Sequence, residues 1–249
     1  MQLIGIWWNA LKFQSPNWKT RCHAAMRLGA SDNVRAVKPL LAALRDERRG
    51  WRQKGQRFPV REAAAKALGT LRSGAAVPAL LSALIESHVA VQSADPTRPS
   101  YLQLAIAEAL ERIDPHWTKS TAVDAAMPHF LRALKVPYEE TQIAALHALA
   151  MIRDARVVPH IDPLTGGSRY DHASFGAFGF RPVVVAAAYA LGEIGDESAV
   201  KTLEHILNYA PLEERRAAEH ALERIISRRT NPAGAIRMNL FDDVADKGQ

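Results

Sequence analysis

Small and apolar residues recur along the chain in a nine-residue phrase that is rich in alanine and has leucine at its eighth position. The copies are Arg21–Gly29, Arg61–Gly69, Gln103–Glu111, Gln142–Ala150, Val184–Gly192 and Arg215–Glu223. Their leucines stand at positions 28, 68, 110, 149, 191 and 222, so successive copies begin 31 to 42 residues apart. Alanine and leucine favour helix, and this period is typical of stacked helical pairs. The glycine that ends three copies is predicted to stop its helix in a left-handed conformation.

A second apolar pattern follows most copies of the phrase. Its apolar residues recur three and four positions apart, which predicts a second helix with one buried face. The predicted second helices are Ala36–Leu44, Ala76–Leu84, Ala126–Leu134, Arg156–Leu164 and Ala199–Leu207. Proline stands early in four of them, where the first turn of a helix tolerates it: Pro39, Pro78, Pro128 and Pro159. We therefore predict an all-α fold, a right-handed α-α superhelix of about six helical pairs, in which each pair is buried against the next.

The two patterns together resemble the HEAT repeat, particularly the short bacterial type found in phycobilin lyases. The sequence V-R-x-x-A-A-x-A-L-G followed by A-V-x-x-L-x-x-x-L is matched best at Val60–Leu84 and Val183–Leu207. The resemblance spans Trp18 to Arg229 and implies a HEAT-like, armadillo-like helical solenoid. It does not choose a function, because this repeat serves many unrelated roles. A bilin lyase or its chaperone subunit is one role that rests on the resemblance alone.

Two short segments flank the predicted solenoid of residues 18–229. Residues 1–17 are predicted to form an N-terminal capping helix that covers the open end of the stack, and docking of its apolar face on a membrane interface or a partner is the alternative. That apolar face consists of Ile4, Trp7, Trp8 and Leu11. Residues 230–249 are predicted to form a loose C-terminal tail. No apolar run approaches the ~20 residues of a bilayer span, so no integral membrane segment is predicted.

A basic insertion separates the first predicted second helix from the next phrase. Residues 45–57 contain six cationic and two acidic side chains, which is +4 of the formal net charge of +6. Cationic groups around a tryptophan can bind phosphate and stack on an aromatic ring. The candidate partner-binding residues here are Arg48, Arg49, Trp51, Arg52, Lys54 and Arg57. Three interpretations stay open: a solvated loop with Trp51 folded back, an acidic protein partner, and nucleic acid.

Two further insertions enter the repeat at the same place, between a second helix and the next first helix. All three are therefore expected on one edge of the stack, where repeat proteins place binding loops. Residues 87–100 contain two X-Pro steps and are predicted to be a spacer. Residues 165–181 combine glycines with aromatic side chains, which either tuck under the neighbouring units or form an exposed anchor for a partner. The candidate anchors are Tyr170, Phe175, Phe178 and Phe180.

The second helices are predicted to line a concave face. Their alignment gives one outward row of Ala42, Ser82, Arg132, Asp162 and His205, and a neighbouring row of Arg45, Ile85, Lys135, Thr165 and Asn208. A nucleic-acid groove needs successive cationic groups to neutralise phosphates, whereas these rows are chemically mixed. The mixture favours a protein surface, with Arg132 and His205 as candidate contacts.

The chain has nine histidines, which raises the hypothesis of a metal site. HEAT-like deoxyhypusine hydroxylases bind two irons through His-Glu pairs, and this sequence contains no His-Glu dipeptide. A single cysteine, Cys22, excludes an internal disulfide and a cysteine-based zinc site. The phosphate-loop, zinc-protease and hydrolase-elbow motifs are also missing from the sequence. The sequence therefore predicts no metal, cofactor or catalytic residue and leans against an enzyme.

The apolar share of 48% is ample for a core, and the single cysteine suits a reducing compartment. These features favour a cytoplasmic protein–protein interaction scaffold or adaptor. It would bind a protein partner through the concave face and the loop-bearing edge. The alternative is a nucleic-acid-binding HEAT-like protein that uses residues 45–57.

Overall fold

The computed structural model describes residues 2–46, 59–86, 95–165 and 181–230, and within these ranges the chain is helical without a β-strand. The predicted all-helical repeat fold is confirmed. The α-helices are α1 (Gln2–Leu11), α2 (Trp18–Gly29), α3 (Val37–Leu44), α4 (Pro59–Thr70), α5 (Val77–Ile85), α6 (Tyr101–Ile113), α7 (Thr121–Ala133), α8 (Glu139–Ile152), α9 (Val158–Ile161), α10 (Pro182–Ile194), α11 (Glu197–Tyr209) and α12 (Leu212–Thr230). The chain divides into two compact units, Met1–Ala133 and Leu134–Gln249.

First helices pack side by side in each unit, α2 on α4 on α6 in the first and α8 on α10 on α12 in the second. Neighbouring first helices come into close contact at a glycine. A Cβ on Gly69 would lie 2.7 Å from the Cα of Ala109, and one on Gly192 would lie 2.8 Å from the Cβ of Ala221. The predicted left-handed stop at these glycines is wrong, because the glycines stay helical and are needed for contact between helices.

The left-handed residue comes three positions after the phrase. The backbone angle φ is positive at Asp32, Arg72, Arg153 and Gly195. Three of these four residues are not glycine, and each such residue costs roughly 1–2 kcal/mol in this conformation. The turn between the helices of a pair is therefore imposed by packing rather than by local glycine preference.

Two of the second helices differ from prediction. α7 begins at Thr121, so Pro128 lies inside the helix and not in its first turn. The segment before it is ordered by a short 3-10 helix, Trp117–Lys119, whose Trp117 is buried. In the next pair, α9 is only Val158–Ile161 and continues as a 3-10 helix through Thr165. This tightening turns Thr165 inward, so its predicted outward position is wrong.

α1 and the 3-10 turn after it lie against α2, and their buried residues are Ile6, Asn9 and Phe13. The four residues of the predicted covering face, Ile4, Trp7, Trp8 and Leu11, are exposed instead. That face was predicted to be buried, and this prediction is wrong because α1 is apolar on both sides. Hydrophobic periodicity defines the residues of this face but does not show whether the face points towards α2 or towards solvent. The role of residues 1–17 as a cap stays a prediction.

None of the described helices combines the length and hydropathy that a bilayer span requires.

Candidate partner-binding edge

Buried side chains fix both ends of the basic insertion in the first unit. Arg21 of α2 donates from Nε to Asp46 Oδ2 at 2.7 Å and from Nη1 to the carbonyl oxygens of Ser15 and Pro16. Arg61 of α4 donates from Nε to the carbonyl oxygen of Leu44 at 2.7 Å. Asp46 is the second residue of the insertion and the last described one before residue 59, where α4 begins. The insertion is therefore rooted on packed, hydrogen-bonded side chains, which is the support a precise binding loop needs.

The same device recurs at later connections. Gln103 donates from Nε2 to the carbonyl oxygen of Leu84 at 3.2 Å. In the second unit Gln142 donates from Nε2 to the carbonyl oxygens of Leu134 at 3.1 Å and Val136 at 2.9 Å. These glutamines and Arg61 all occupy the first position of the repeated phrase. This position therefore satisfies carbonyl groups left open where a second helix ends.

Carboxylates join the beginnings of the first helices in the second unit. Glu139 Oε1 accepts a hydrogen bond from the backbone N–H of Val183 at 3.1 Å, and Glu214 Oε1 accepts one from the N–H of Arg181 at 3.0 Å. Burial raises the pKa of Glu214, although the Arg181 N–H and guanidinium act in the opposite direction. The N-terminal ends of α8, α10 and α12 consequently lie side by side, and a negative charge there complements the helix dipole.

Four exposed large apolar side chains lie where a second helix connects to the next first helix, and in each unit we call this side the loop edge. They are Tyr101 in the first unit and Tyr138, Tyr209 and Leu212 in the second, each 47–67% exposed. Tyr209 also contacts His205, with ring centroids 4.8 Å apart. Sequence reasoning did not select these four residues. Each is a tyrosine or leucine at the boundary of a helix. Hydrophobic periodicity alone does not distinguish such an exposed residue from a residue of the core.

The predicted site residues fall into two groups. Arg132 is exposed on α7 in the first unit, and His205 is half-buried on α11 in the second. Within the outward rows, Asp162 accepts a hydrogen bond from Thr202 Oγ1 at 2.8 Å and helps to fix the end of α9. The other candidates lie outside the described residues, and their roles stay predictions: Arg48, Arg49, Trp51, Arg52, Lys54, Arg57, Tyr170, Phe175, Phe178 and Phe180.

Comparison with family models identifies the repeat. Residues 9–94 match a model described as HEAT repeats, and residues 183–209 match the PBS lyase HEAT-like repeat. The chain contains HEAT repeats. No curated protein matches it.

Several solved structures are similar to this chain. An engineered protein is 21% identical over 89% of this chain and 96% of its own, with a TM-score of 0.41. Human deoxyhypusine hydroxylase in complex with glycerol is 16% identical over 89% of this chain and 84% of its own, with a TM-score of 0.35. The CpcE–CpcF complex of phycocyanin lyase from Nostoc sp. is 23% identical over 95% and 93%, with a TM-score of 0.32. Likenesses at these TM-scores carry no argument about function.

The opposite edge of the second unit, which we call the turn edge, holds an arginine cluster around one buried carboxylate. Glu193 is 1% exposed and lies 2.8 Å from a guanidinium nitrogen of each of Arg153, Arg224 and Arg228. Arg228 also donates from Nη1 to the carbonyl oxygens of Gly192 at 2.9 Å and Glu193 at 2.7 Å. Three cations meet one anion, and their side chains are 24–40% exposed. The cluster therefore carries two positive charges beyond what Glu193 neutralises.

A groove of about 400 Å³ lies between α2 and α4 of the first unit, and its lining includes Cys22, Met26, Glu62 and Lys66. Burial raises the pKa of Cys22 to about 11, and nearby Glu62 and Asp46 act in the same direction against Arg21. The thiol is therefore protonated at neutral pH and is a poor nucleophile. Among the side chains that the structure describes, no group of His, Cys, Asp and Glu is arranged to hold a metal ion.

Proposed function

We propose that this HEAT-repeat protein is an interaction scaffold that binds a protein partner through the face of its second helices and through the loop edge. The observation that carries the proposal is the exposure of Tyr101, Tyr138, Tyr209 and Leu212 at the connections of that edge. Tyrosine supplies a large apolar contact at low entropy cost and retains a hydroxyl for hydrogen bonding, so it is frequent at the energetic centres of protein interfaces.

The hydrogen bonds beneath this edge support the same proposal. Arg61, Gln103 and Gln142 hold the ends of the second helices, while Glu139 and Glu214 hold the start of α10. These polar side chains form hydrogen bonds within the fold, and the exposed residues at the same connections include the apolar Tyr101, Tyr138, Tyr209 and Leu212. Such an edge can bury apolar area against a partner without leaving its own backbone groups unsatisfied.

Two insertions, residues 45–57 and 165–181, connect second helices to the next first helices and are part of the proposed binding surface. We expect Trp51 with Arg48, Arg49 and Arg52 to form one energetic centre, and Phe175, Phe178 and Phe180 to form another. The basic insertion favours a partner with acidic groups beside its apolar contact, because opposite potentials increase the rate and specificity of association.

Quantitative affinity capture from the native cell tests the proposal. The variants are Tyr138→Ser/Tyr209→Ser/Leu212→Ser at the loop edge and Trp51→Ser/Arg48→Ser/Arg49→Ser/Arg52→Ser in the insertion. The matched control is Val34→Ser/Ile226→Ser, which removes two apolar side chains that are also exposed but lie elsewhere. We expect one set of proteins to be lost with the loop-edge variant and retained with the control.

The same partner, once purified, is expected to bind the loop-edge variant about 100-fold more weakly than the parent, as for loss of several interface centres. Equal capture by the parent and both variants would show that the loop edge is not the binding surface.

Nucleic-acid binding is the second candidate, because residues 45–57 carry +4 in the first unit and the arginine cluster carries surplus charge in the second. A salt titration with DNA and RNA separates the two functions. Phosphate binding would weaken steeply, with a log–log slope of about −0.9 for each phosphate neutralised on duplex DNA. A bilin lyase or chaperone role has only the repeat resemblance as support, and restored bilin attachment in a reconstituted system would be needed to establish it.

A further inference from the structure

α1 presents an apolar arc to solvent. Ile4, Trp7, Trp8 and Leu11 are 72%, 62%, 58% and 45% exposed. At about 100° per residue they fall within an arc of roughly 100° on one side of the helix. Asn9 is buried on the far side of α1 and donates from Nδ2 to the carbonyl oxygen of Gly5 at 2.8 Å. Two neighbouring exposed tryptophans with two aliphatic side chains mark an interaction surface rather than ordinary solvent exposure.

The stretch of sequence that contains this arc has cationic residues and no acidic ones. Between Met1 and Ser31 the sequence contains Lys12, Lys19, Arg21 and Arg27 and no Asp or Glu. Arg21 is paired with buried Asp46, so it contributes no free charge at the surface. Lys12 follows Trp8 by one helical turn, because a 3-10 turn continues α1 through Gln14. Lys19 is exposed, and its ammonium group lies 5.9 Å from the centroid of the Trp18 ring.

We propose that the exposed arc of α1 docks on the surface of a lipid bilayer that contains anionic lipid. Indole rings combine an apolar body with an N–H group and favour the headgroup region, where lysine side chains meet anionic headgroups. The ten residues of α1 span about 15 Å, which is too short to cross a bilayer and suits a helix that lies in its interface. Because the opposite side of α1 packs on α2, the helix is held flat on the protein with the tryptophans outward.

A second copy of the chain fits this surface less well. Residues 1–31 of a second copy contain no Asp or Glu that could pair with Lys12 and Lys19 of the first. The inference stands apart from the proposed partner binding, since it uses none of the loop-edge residues.

Cosedimentation of the full chain with vesicles tests the inference. The probes are vesicles of phosphatidylcholine mixed about 3:1 with phosphatidylserine, and vesicles of phosphatidylcholine alone. The variant Trp7→Ser/Trp8→Ser is compared with Val34→Ser/Ile226→Ser, which removes two equally exposed apolar side chains outside α1. We expect the parent and the control to bind the mixed vesicles, and the tryptophan variant to bind more than about tenfold more weakly.

A second variant, Lys12→Ala, tests the electrostatic half of the inference. We expect about fivefold weaker binding to the mixed vesicles, little change with neutral vesicles, and weaker binding by the parent at high salt. The inference is overturned if the parent does not bind the mixed vesicles or if the tryptophan variant binds like the parent. It is also overturned if the parent forms a dimer that Trp7→Ser/Trp8→Ser dissociates, since a second copy would then cover the arc.

Discussion

The loop edge and the turn edge of the second unit stabilise opposite ends of the same helix, α10. At the loop edge the carboxylates of Glu139 and Glu214 accept hydrogen bonds from backbone N–H groups at its beginning. At the turn edge Arg228 donates to the carbonyl oxygens of Gly192 and Glu193 near its end. Both arrangements satisfy backbone groups left open at the ends of a helix. The helix dipole also favours the positive charge of Arg228, whereas at Glu214 burial outweighs the dipole and raises the pKa of the carboxyl.

The two edges differ in the side chains that stay exposed beside the hydrogen bonds at the ends of α10. At the loop edge the exposed side chains include large apolar ones, notably Tyr138 and Leu212, beside the exposed carboxylates of Glu139 and Glu213. At the turn edge Arg153 and Arg224 add charge that neither the helix end nor Glu193 requires. One cation, Arg228, is enough to cap the end of α10. The charges of Arg153 and Arg224 are therefore a property of the surface and not a requirement of the helix. The comparison teaches that the loop edge offers apolar area for recognition, whereas the turn edge offers positive potential.

The largest expected effect comes from removing the carboxylate at the centre of the arginine cluster. Glu193→Ala leaves three neighbouring guanidinium groups without their shared anion, and we expect the free energy of unfolding to fall by about 3 kcal/mol. Urea denaturation of the full chain measures it. A loss below about 0.5 kcal/mol would mean that the cluster does not stabilise the turn edge.

A smaller effect separates the capping arginine from the surplus ones. Arg228→Met removes two hydrogen bonds to carbonyl oxygens as well as one ion pair, so we expect a loss of about 1.5 kcal/mol. Arg153→Met and Arg224→Met each leave Glu193 with two cations, and we expect losses below about 0.5 kcal/mol. Equal losses for all three variants, measured by urea denaturation, would contradict the division into need and surplus.

The two edges are also expected to respond to pH with opposite signs. The pKa of Glu214 is raised in the folded chain by burial, so its stabilising contribution is full below the ordinary value of 4.5 and is lost as pH rises through the raised value. The pKa of Asp154 at the turn edge is lowered, chiefly by the hydrogen bond from Arg156, so its contribution is present above 3.8 and is lost as pH falls through the lowered value.

Thermal melts as a function of pH check these signs. Glu214→Gln is expected to raise Tm at neutral pH, with the gain disappearing in acid below the ordinary glutamate pKa. Asp154→Asn is expected to lower Tm at neutral pH, with the loss disappearing in acid. The comparison fails if both variants shift Tm in the same direction at neutral pH.

The smallest effect on stability is expected at the exposed apolar residues of the loop edge. Tyr138→Ser/Leu212→Ser should change the free energy of unfolding by no more than about 0.5 kcal/mol, since neither side chain is buried. A large loss in urea denaturation would assign both residues to the fold rather than to recognition.

Sequence patterning was sufficient for the first helices. The phrase Arg21–Gly29 lies within α2, and Val184–Gly192 lies within α10, because alanine and leucine repeat at helical spacing in both. The hydrophobic pattern was insufficient where a buried face and an exposed face of a helix have the same helical spacing. The apolar face of α1 was recognised, yet its direction depended on whether Ile6 or Trp7 faces α2, and both are apolar.

Contacts between distant residues explain most of what the sequence did not reveal about the two edges. Glu193 and Arg153 are 40 residues apart, and they meet only because each lies at the end of a first helix at the turn edge. Gly192 was interpreted as a helix stop, since the phrase shows glycine but not the alanine of α12 that touches it. Of the predicted site residues, Arg132 and His205 are placed on second helices as expected, but the four exposed residues of the loop edge were missed.

Site-specific photo-crosslinking in the native cell tests the central claim most directly. A photoreactive phenylalanine analogue would replace Tyr138, Tyr209 or Leu212 in turn, with Val34 and Ile226 as exposed reference positions. The account predicts an adduct with the same protein from the three loop-edge positions and not from the two references. Adducts of equal yield at the references, or none at the loop edge, would contradict it.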